Sequence, residues 1–483
     1  MNLNSLLKSK KCSCGEIHTC FIDKIIVKPN AINSLKTLSK DYSEILVVLD
    51  ENTYNFAGSI CSKALNTCNH RYMIFKTNVP LIPNEDAVLN LQSQLKTADL
   101  IIGVGSGVIQ DLCKYVSFNA KLPYFIIPTA PSMDGYASST AIMTFNGVKT
   151  SIPCKPPKAI ICDTNLLKNA PLRMIQSGYG DILGKISALN DWKLSSLING
   201  EYFCNKIYRL TEKSLKNVLK LTKQLKMRKP VAIKALMEAL LITGISMSYL
   251  GNSRSASGSE HLLSHFFEDL GMINGESYLP HGIDVAYSTY ITCKLRNKLL
   301  KAKLPNKIYQ PDRDAFVQEM NKMFKNSAEK FILNQDKFDE SIKDRALSYY
   351  NEKDIKKILK KASNPDKVKK LIEEIGLDIN EFYKTYTQDK IDKAKPMLGV
   401  YLEQFHNINL KKHFHCLNPD HEDLHPSMAY DAKNYRCICF SCNCKYDIFD
   451  IVGIDYHITD TIEKFRKTYQ ITKDLEKGDY DYE

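Results

Sequence analysis

The sequence predicts an α/β protein with a doubly wound parallel sheet, then an all-helical region, then a small cysteine-rich module. Three observations predict this order. Short apolar runs alternate with amphipathic segments in the first third of the chain, apolar residues then recur at helical spacing, and cysteines, histidines and aromatics collect at the end. We therefore predict three domains, which span residues 1–164, 165–388 and 389–483.

Buried strands account for the apolar runs of the first domain, because strands covered by helices on both faces are apolar along their whole length. Amphipathic segments such as Asn84–Lys96 fit the covering helices. The runs that we interpret as strands are EILVVLD ending at Asp50, Met73–Lys76, Leu100–Gly107, Tyr124–Thr129 and Ala159–Asp163.

The second domain is predicted to be helical. Its apolar residues recur with the period of an α-helix. This spacing predicts helices within Ala170–Trp192, Glu201–Leu225, Pro230–Leu250 and His261–Leu270.

The composition is ordinary for a soluble globular protein. Of 483 residues, 44% are hydrophobic and 25% are charged. No run of about 18 apolar residues occurs, and the first twenty residues contain no apolar stretch of signal-peptide length, so we expect no membrane span and a cytoplasmic location. The 15 cysteines of such a protein are expected to be reduced thiols and metal ligands, not disulfides.

The net charge of +12 comes largely from lysines, which are dense around Lys294–Lys307 and Lys353–Lys370. Lysines spread along helices are usually a solvated face. A weak attraction to nucleic acid is the alternative interpretation.

Two loops at strand ends are suited to a dinucleotide. GVGSGVIQD, Gly103–Asp111, follows an apolar strand and opens a helix, so its glycines would let a pyrophosphate approach the helix N-terminus. PTAPSMDGYAS, Pro128–Ser138, ends the next strand with hydroxyl and carboxyl side chains. Open α/β sheets place their ligands at such carboxyl ends.

Three further segments predict a metal site. GYGDILGK places Asp181 at the start of a helix with Lys185 one turn later. SGSEHLLSH places His261 and His265 on one face of a helix, and LPHGIDVAYST places His281 just before another. One carboxylate and two imidazoles suit zinc or a similar divalent ion.

Taken together, these five motifs resemble the sn-glycerol-1-phosphate dehydrogenase family, in the wider group of glycerol dehydrogenases, metal-dependent alcohol dehydrogenases and dehydroquinate synthases. The likeness covers roughly the first 385 residues, including CSCG at Cys12–Gly15. It implies that Asp181, His261 and His281 bind the metal, and that Asp134, Asp181 and His265 face the substrate.

The resemblance also implies an NAD(P) site. The residues that it assigns to this site are Asp50, Gly105, Ser106, Gly107, Val108, Ile109, Thr129, Ala130, Pro131, Ser132 and Ser138.

The implied reaction is reversible reduction of dihydroxyacetone phosphate to sn-glycerol 1-phosphate. A divalent metal, zinc or nickel, would act as a Lewis acid on the ketone oxygen, and Asp181 and His265 are the expected catalytic residues. Arg254 either contacts the phosphate or is a surface arginine in a loop, and we expect the enzyme to be a homo-oligomer. Two alternatives stay open: a glycerol or other alcohol dehydrogenase on the same scaffold, and a nucleic-acid-binding protein with an inactive dehydrogenase region.

The last domain contains a second set of metal ligands. Cys416 and His421 form one pair, and Cys439 and Cys442 form a C-x-x-C pair, which is typical of a structural zinc site. The thiols of Cys437 and Cys444 leave the register open. This segment resembles the zinc ribbon at the N-terminus of bacterial and phage primases, which implies weak nucleic-acid binding.

Overall fold

The computed structural model describes residues 2–78, 80–274, 278–303, 312–324, 328–342, 351–383, 385, 389–459 and 461–477. The chain divides into two compact units, Met1–Phe382 and Tyr383–Glu483. We call them unit 1 and unit 2.

Unit 1 contains a parallel sheet and two hairpins. The strands described in it are β1 Lys10–Lys11, β2 Ile17–His18, β3 Lys24–Lys28, β4 Ile45–Asp50, β5 His70–Phe75, β6 Leu100–Gly105, β7 Tyr124–Pro128, β8 Thr140–Phe145, β9 Val148–Pro153 and β10 Ala159–Asp163.

Six of these strands form one sheet in the order β3-β10-β7-β6-β4-β5, and every neighbouring pair is parallel. Val47, Ile102 and Phe125 are among the strand residues buried in its core. The arrangement confirms the predicted doubly wound sheet, and its carboxyl edge lies after β4, β6 and β7.

Helices cover the sheet and then form the rest of unit 1. Those described up to residue 383 are α1 Leu35–Leu38, α2 Glu51–Thr53, α3 Ser59–Ala64, α4 Glu85–Ser93, α5 Gly107–Asn119, α6 Thr164–Leu167, α7 Leu172–Ile198, α8 Asn205–Lys220, α9 Thr222–Lys226, α10 Pro230–Leu250, α11 Ser259–Asn274, α12 His281–Lys301, α13 Arg313–Phe324, α14 Ala328–Ile342, α15 Glu352–Leu359, α16 Pro365–Glu374 and α17 Ile379–Tyr383.

Two hairpins of unit 1 were not predicted from the sequence. Strands β8 and β9 pair around Asn146 and Gly147, which have positive φ angles of 51° and 74°. These two residues allow the tight turn that joins adjacent antiparallel strands. A shorter hairpin, β1–β2, precedes the sheet.

One described helix, α10, is long and apolar enough to cross a membrane by length and composition. Most of it is buried inside the protein, at 78% of its most apolar window. That burial is typical of the core helix of a soluble protein, because a membrane helix would need its apolar surface for lipid.

Unit 2 combines a small antiparallel sheet with helices. Its described elements are α18 Asp389–Ala394, α19 Leu398–Phe405, β11 Met428–Asp431, β12 Arg436–Cys439, β13 Lys445–Tyr446, α20 Ile448–Asp455 and α21 Thr461–Lys477. The three strands pair in chain order. Helical residues such as Leu402, Ile451 and Ile471 give the unit a core of its own.

Candidate active site

A cavity of about 640 Å³ lies in unit 1 beside the carboxyl edge of the sheet. The loops after β6 and β7 line it on one side, and residues of α7, α11 and α12 line it on the other. The predicted site residues among its lining are Ser106, Gly107, Val108, Ser132, Asp134, Ser138, Asp181, His261, His265 and His281.

Three of the lining residues form a candidate metal site. One ligand atom from each of Asp181, His261 and His281 lies within 4.8 Å of the others. Asp181 is inside α7, not at its start as predicted, because the helix begins nine residues earlier, directly after Pro171. One carboxylate and two imidazoles fit a divalent cation, and three protein ligands leave positions for a substrate.

Two buried glutamates orient these imidazoles. The Glu260 carboxylate lies 2.7 Å from His261 Nδ1, and the Glu268 carboxylate lies 3.1 Å from His281 Nδ1. Such carboxylate–histidine pairs leave Nε2 free to bind a metal and fix the ring orientation. Neither glutamate was predicted as a site residue, although Glu268 follows His265 at helical spacing and Glu260 adjoins His261.

A buried lysine balances two carboxylates beside the histidines. Lys185 Nζ lies 2.7 Å from Asp134 Oδ2 and 2.8 Å from Asp181 Oδ1, and it also donates to the Ala256 carbonyl. Burial raises the pKa of Asp181, but Lys185 and the two imidazoles outweigh burial and hold it well below its ordinary value. Burial, and then the charge of Asp181, raise the pKa of Asp134.

His265 is a neutral imidazole in this cavity. Its ring stacks on that of His281, with the centroids 5.3 Å apart. Burial, and then the adjacent His281, lower the pKa of His265 to about 3. At neutral pH it therefore offers one N–H donor and one nitrogen acceptor.

Close packing fixes the ligand-bearing helices. A Cβ at Gly282 would lie 1.9 Å from the Ser177 carbonyl oxygen, and one at Gly178 would lie 1.8 Å from that of Pro131. Only glycine fits at either position, so α12 and the loop after β7 both lie directly against α7. This contact places Asp181 beside His281 and Asp134.

The predicted dinucleotide turn joins β6 to α5. Thr129 N–H donates to the Gly105 carbonyl at 3.1 Å, so the ends of β6 and β7 are adjacent. A Cβ at Gly105 would lie 2.6 Å from Ile109 Cβ, which requires glycine at the turn. The side chain of Ser106 does not cap α5, and Ser106, Gly107 and Val108 line the cavity. The first N–H groups of a helix have no partner within the helix, so this turn is suited to an anion.

The other predicted cofactor residues do not line this cavity. They are Asp50, Gly105, Ile109, Thr129, Ala130 and Pro131. Asp50 ends β4 at the same edge of the sheet, and its carboxylate caps α2 by accepting from Thr53 N–H at 2.7 Å.

Basic side chains near the cavity differ from the one predicted. Arg254 makes two hydrogen bonds to the Glu201 carboxylate and is not among the lining residues. Lys149, on β9, and Arg173, on α7, do line the cavity. Lys149 pairs with Glu268 and Arg173 pairs with Glu381. Lys149 could not be predicted as a site residue, because the hairpin that contains it was not predicted.

Unit 2 contains a separate cluster of thiols. The Sγ atoms of Cys416, Cys439, Cys442 and Cys444 all lie within 4.8 Å of one another. His421, predicted in place of Cys444, has its Nδ1 3.8 Å from Cys439 Sγ. Cys437 is buried in the core of the unit.

Comparisons with known proteins agree with this geometry. A family model described as iron-containing alcohol dehydrogenase matches residues 26–171. The glycerol-1-phosphate dehydrogenase (NAD(P)+) of Geobacillus thermodenitrificans is 29% identical over 380 residues, which is 77% of this chain and 88% of that protein. The protein of the same name from Halalkalibacterium halodurans is 31% identical over 333 residues, 66% of this chain and 83% of its own.

Among solved structures, an iron-containing alcohol dehydrogenase from Thermococcus thioreducens matches 79% of this chain and 92% of its own. The TM-score is 0.50 and the identity is 15%. This likeness shows the fold.

Proposed function

The chain belongs to the glycerol-1-phosphate dehydrogenase family, and we propose that unit 1 reduces dihydroxyacetone phosphate reversibly to sn-glycerol 1-phosphate with NAD(P)H. One observation carries the proposal. Asp181, His261 and His281 meet in the same cavity as the turn that opens α5, so a metal site and an anion-binding helix N-terminus share one space.

We propose that the ligands of the catalytic metal are Asp181, His261 and His281, and that the metal is zinc or nickel. A divalent cation there would stabilise negative charge on the substrate oxygen during hydride transfer. Neighbouring residues hold these three ligands in the orientation and charge state that a cation needs. Glu260 and Glu268 orient the two imidazoles, and Lys185 holds the Asp181 carboxylate in its ionised form.

NAD(P)H supplies the hydride, and the loops after β6 and β7 would bind it. Ser106 and Gly107 open α5 at the cavity, where N–H groups of the helix can donate hydrogen bonds to a pyrophosphate. Ser132 and Ser138 line the same side. We propose that Asp50 meets the adenosine ribose, since it lies at the same sheet edge.

Asp134 and His265 face the remaining space of the cavity, where we place the triose. Neutral His265 would donate a hydrogen bond to a substrate oxygen and pass on the proton that the reduced product needs. Lys149 and Arg173 are basic residues of the lining, and each is paired with a glutamate. We propose that one of them also bonds the phosphate, which would favour a phosphorylated triose over dihydroxyacetone.

The central experiment is an NAD(P)H oxidation assay on the full chain with dihydroxyacetone phosphate and with dihydroxyacetone. Activity should be lost on chelation and should return when a single metal is restored. A strong preference for the phosphorylated ketone separates this proposal from a glycerol or alcohol dehydrogenase. Equal activity with both ketones, or activity that survives complete chelation, would contradict it.

His265→Ala is expected to retain the catalytic metal and to lower kcat by about two to four orders of magnitude, the usual contribution of a proton-transferring group. The metal content of the purified variant and its kcat provide the measurement. His261→Ala is the matched comparison and should lose the metal. The reverse pattern would exchange the roles of the two histidines.

A second candidate function concerns unit 2, where we propose a structural zinc site. Sulfur ligands about 2.3 Å from a tetrahedral ion lie about 3.8 Å from one another. Cys416 Sγ lies 3.7 Å from both Cys442 Sγ and Cys444 Sγ. The Cys442 N–H points at Cys439 Sγ, at 3.4 Å, as thiolate ligands in metal-binding turns require.

Cys444→Ser is expected to lower the zinc content of the full chain by about one equivalent and to raise deuterium exchange within residues 414–446. His421→Ala and Cys437→Ala should keep that zinc, because neither residue belongs to the four-thiol cluster. Dihydroxyacetone phosphate reduction should be unchanged in all three. Zinc loss in His421→Ala alone would restore the ligand set predicted from the sequence.

Nucleic-acid binding by unit 2 is the less favoured proposal. Unit 2 carries slightly more acidic than basic side chains, so the positive net charge of the chain resides in unit 1. Most of the lysines on α15 and α16 are exposed, as on a solvated face. Any binding to a single-stranded oligonucleotide should therefore be weak and should weaken further with salt.

We further propose that the protein is cytoplasmic and homo-oligomeric.

A further inference from the structure

The N-terminal hairpin brings a second group of cysteines to a distant helix. Cys12 and Cys14 lie in the turn between β1 and β2, and His18 ends β2. Cys204 precedes α8, nearly two hundred residues later. One Sγ or ring nitrogen from each of the four lies within 4.8 Å of all the others.

The distances fit a tetrahedral ion. Cys12 Sγ and Cys204 Sγ are 3.7 Å apart, close to the value of about 3.8 Å for two sulfurs bound to one zinc. His18 Nε2 lies 3.4 Å from both Cys14 Sγ and Cys204 Sγ, near the value of about 3.6 Å for a sulfur and a nitrogen ligand. A disulfide would need about 2.05 Å between the sulfurs.

The local backbone builds this arrangement. Cys12 N–H donates to the Glu16 carbonyl, and Gly15 has a φ of 98°, which allows the turn to close. Trp192 Nε1 donates to the Tyr202 carbonyl at 2.9 Å, which holds the loop before Cys204. The His18 ring stacks on Tyr249 at 5.3 Å.

Without a metal ion, these four side chains would have only weak hydrogen bonds to one another. Cys204 and His18 are buried, and the contacts of the group are largely with one another, with the Tyr202 hydroxyl 3.0 Å from Cys14 Sγ. Sulfur is a weak hydrogen-bonding partner. Three thiolates and one imidazole on a single zinc ion would replace these weak contacts with ligand bonds.

We propose that Cys12, Cys14, His18 and Cys204 bind a structural zinc that is separate from the catalytic metal and from the zinc of unit 2. Four protein ligands complete a tetrahedron and leave no position for a substrate. The ion would join the N-terminal hairpin to the start of α8. Trp192, Phe203 and Tyr249 pack around the same point, so zinc would add a cross-link to a small apolar cluster.

The test measures zinc per chain in the full-length reduced protein. Cys12→Ser and Cys204→Ser should each contain about one equivalent less than the wild type, and Cys14→His should keep it, because a Cys₂His₂ set also binds zinc. Cys68→Ser is the matched control, since Cys68 is a partly exposed thiol outside the cluster. Equal zinc in the wild type, Cys12→Ser and Cys204→Ser would overturn the proposal.

A measurement on the wild type covers variants that fail to fold. Cys12 and Cys14 are partly exposed, so a thiol-alkylating reagent can reach them when they are free. Peptide mapping should show both thiols protected before chelation and modified after it. Modification at the same rate in both states, or a Cys12–Cys204 disulfide, would contradict the zinc site. Dihydroxyacetone phosphate reduction is not the readout, so this result is independent of the proposed function.

Discussion

His281→Ala should abolish both the catalytic metal and turnover, with kcat/KM lower by at least about two orders of magnitude. His281 contributes the imidazole at the start of α12, where it meets Asp181 and His261 across the cavity. Without it, one carboxylate and one imidazole remain, which is too few protein ligands for a catalytic divalent ion. Metal content and the rate of NAD(P)H oxidation provide the two measurements.

Glu268→Gln is the graded companion to this variant. It keeps a hydrogen-bonding group beside His281 Nδ1 but removes the charge, so metal affinity should fall by about tenfold to a hundredfold without disappearing. Adding excess metal should restore most of its activity, whereas His281→Ala should not respond. Full activity in metal-free His281→Ala would end the proposed mechanism.

The zinc ions that we propose in unit 2 and at the N-terminal hairpin would provide internal references for these measurements. Cysteine sites favour zinc, whereas a carboxylate with two imidazoles also accepts nickel or iron. A variant of His281 should therefore lose one metal and keep the thiolate-bound zinc. Loss of all metals together would indicate unfolding.

The parallel sheet was predictable because its strands are continuous apolar runs between turn residues. The same holds for His261 and His265, which share a helix face by spacing alone. His281 was predicted just before a helix and is instead the first residue of α12, directly after Pro280. The β8–β9 hairpin was not predictable in this way. Its strand residues mix polar and apolar types without the continuous run that marks a buried strand.

Contacts between segments that are distant in the chain could not be predicted from the sequence either. Cys12 and Cys204 are far apart in the chain, and only the packing of the N-terminal hairpin against the helical region joins them. The same limit applies to Arg254, where a nearby loop supplies Glu201 and the arginine pairs with it. Ion pairing of this kind depends on which loops meet, which local patterns do not encode.

Lys185→Met should destabilise the metal-free protein by about 3–5 kcal/mol, the usual cost of removing one partner of a buried ion pair. The lysine side chain is fully buried, and Asp134 and Asp181 lie within 2.8 Å of its ammonium. Without that cation, two carboxylates of like charge remain in a site that desolvates both. Urea unfolding of the chelated wild type and variant gives the difference in unfolding free energy.

The stability difference between Lys185→Met and the wild type should also depend on pH. Loss of the ammonium removes the largest charge that lowers the pKa of Asp181, while burial and the charge of Asp181 already raise the pKa of Asp134. The folded variant should therefore bind more protons than its unfolded chain. Its stability should then fall as pH rises through the folded pKa values, and the difference from the wild type should be smallest in acid. Asp134→Asn in the same chain should recover part of the loss, because it removes one of the two charges.

Bound metal should reduce the effect, since a divalent cation at Asp181 replaces the missing positive charge. Lys216→Met is the matched control: the Lys216 side chain is 62% exposed and pairs with Glu212, so we expect a change below about 1 kcal/mol. The comparison is made without metal at neutral pH. If Lys185→Met unfolds at the same urea concentration as the wild type, Lys185 is not the counter-charge of this carboxylate pair. The metal-loaded variant should also lose activity, because Asp134 and Asp181 would no longer share the cation that spaces them beside His261.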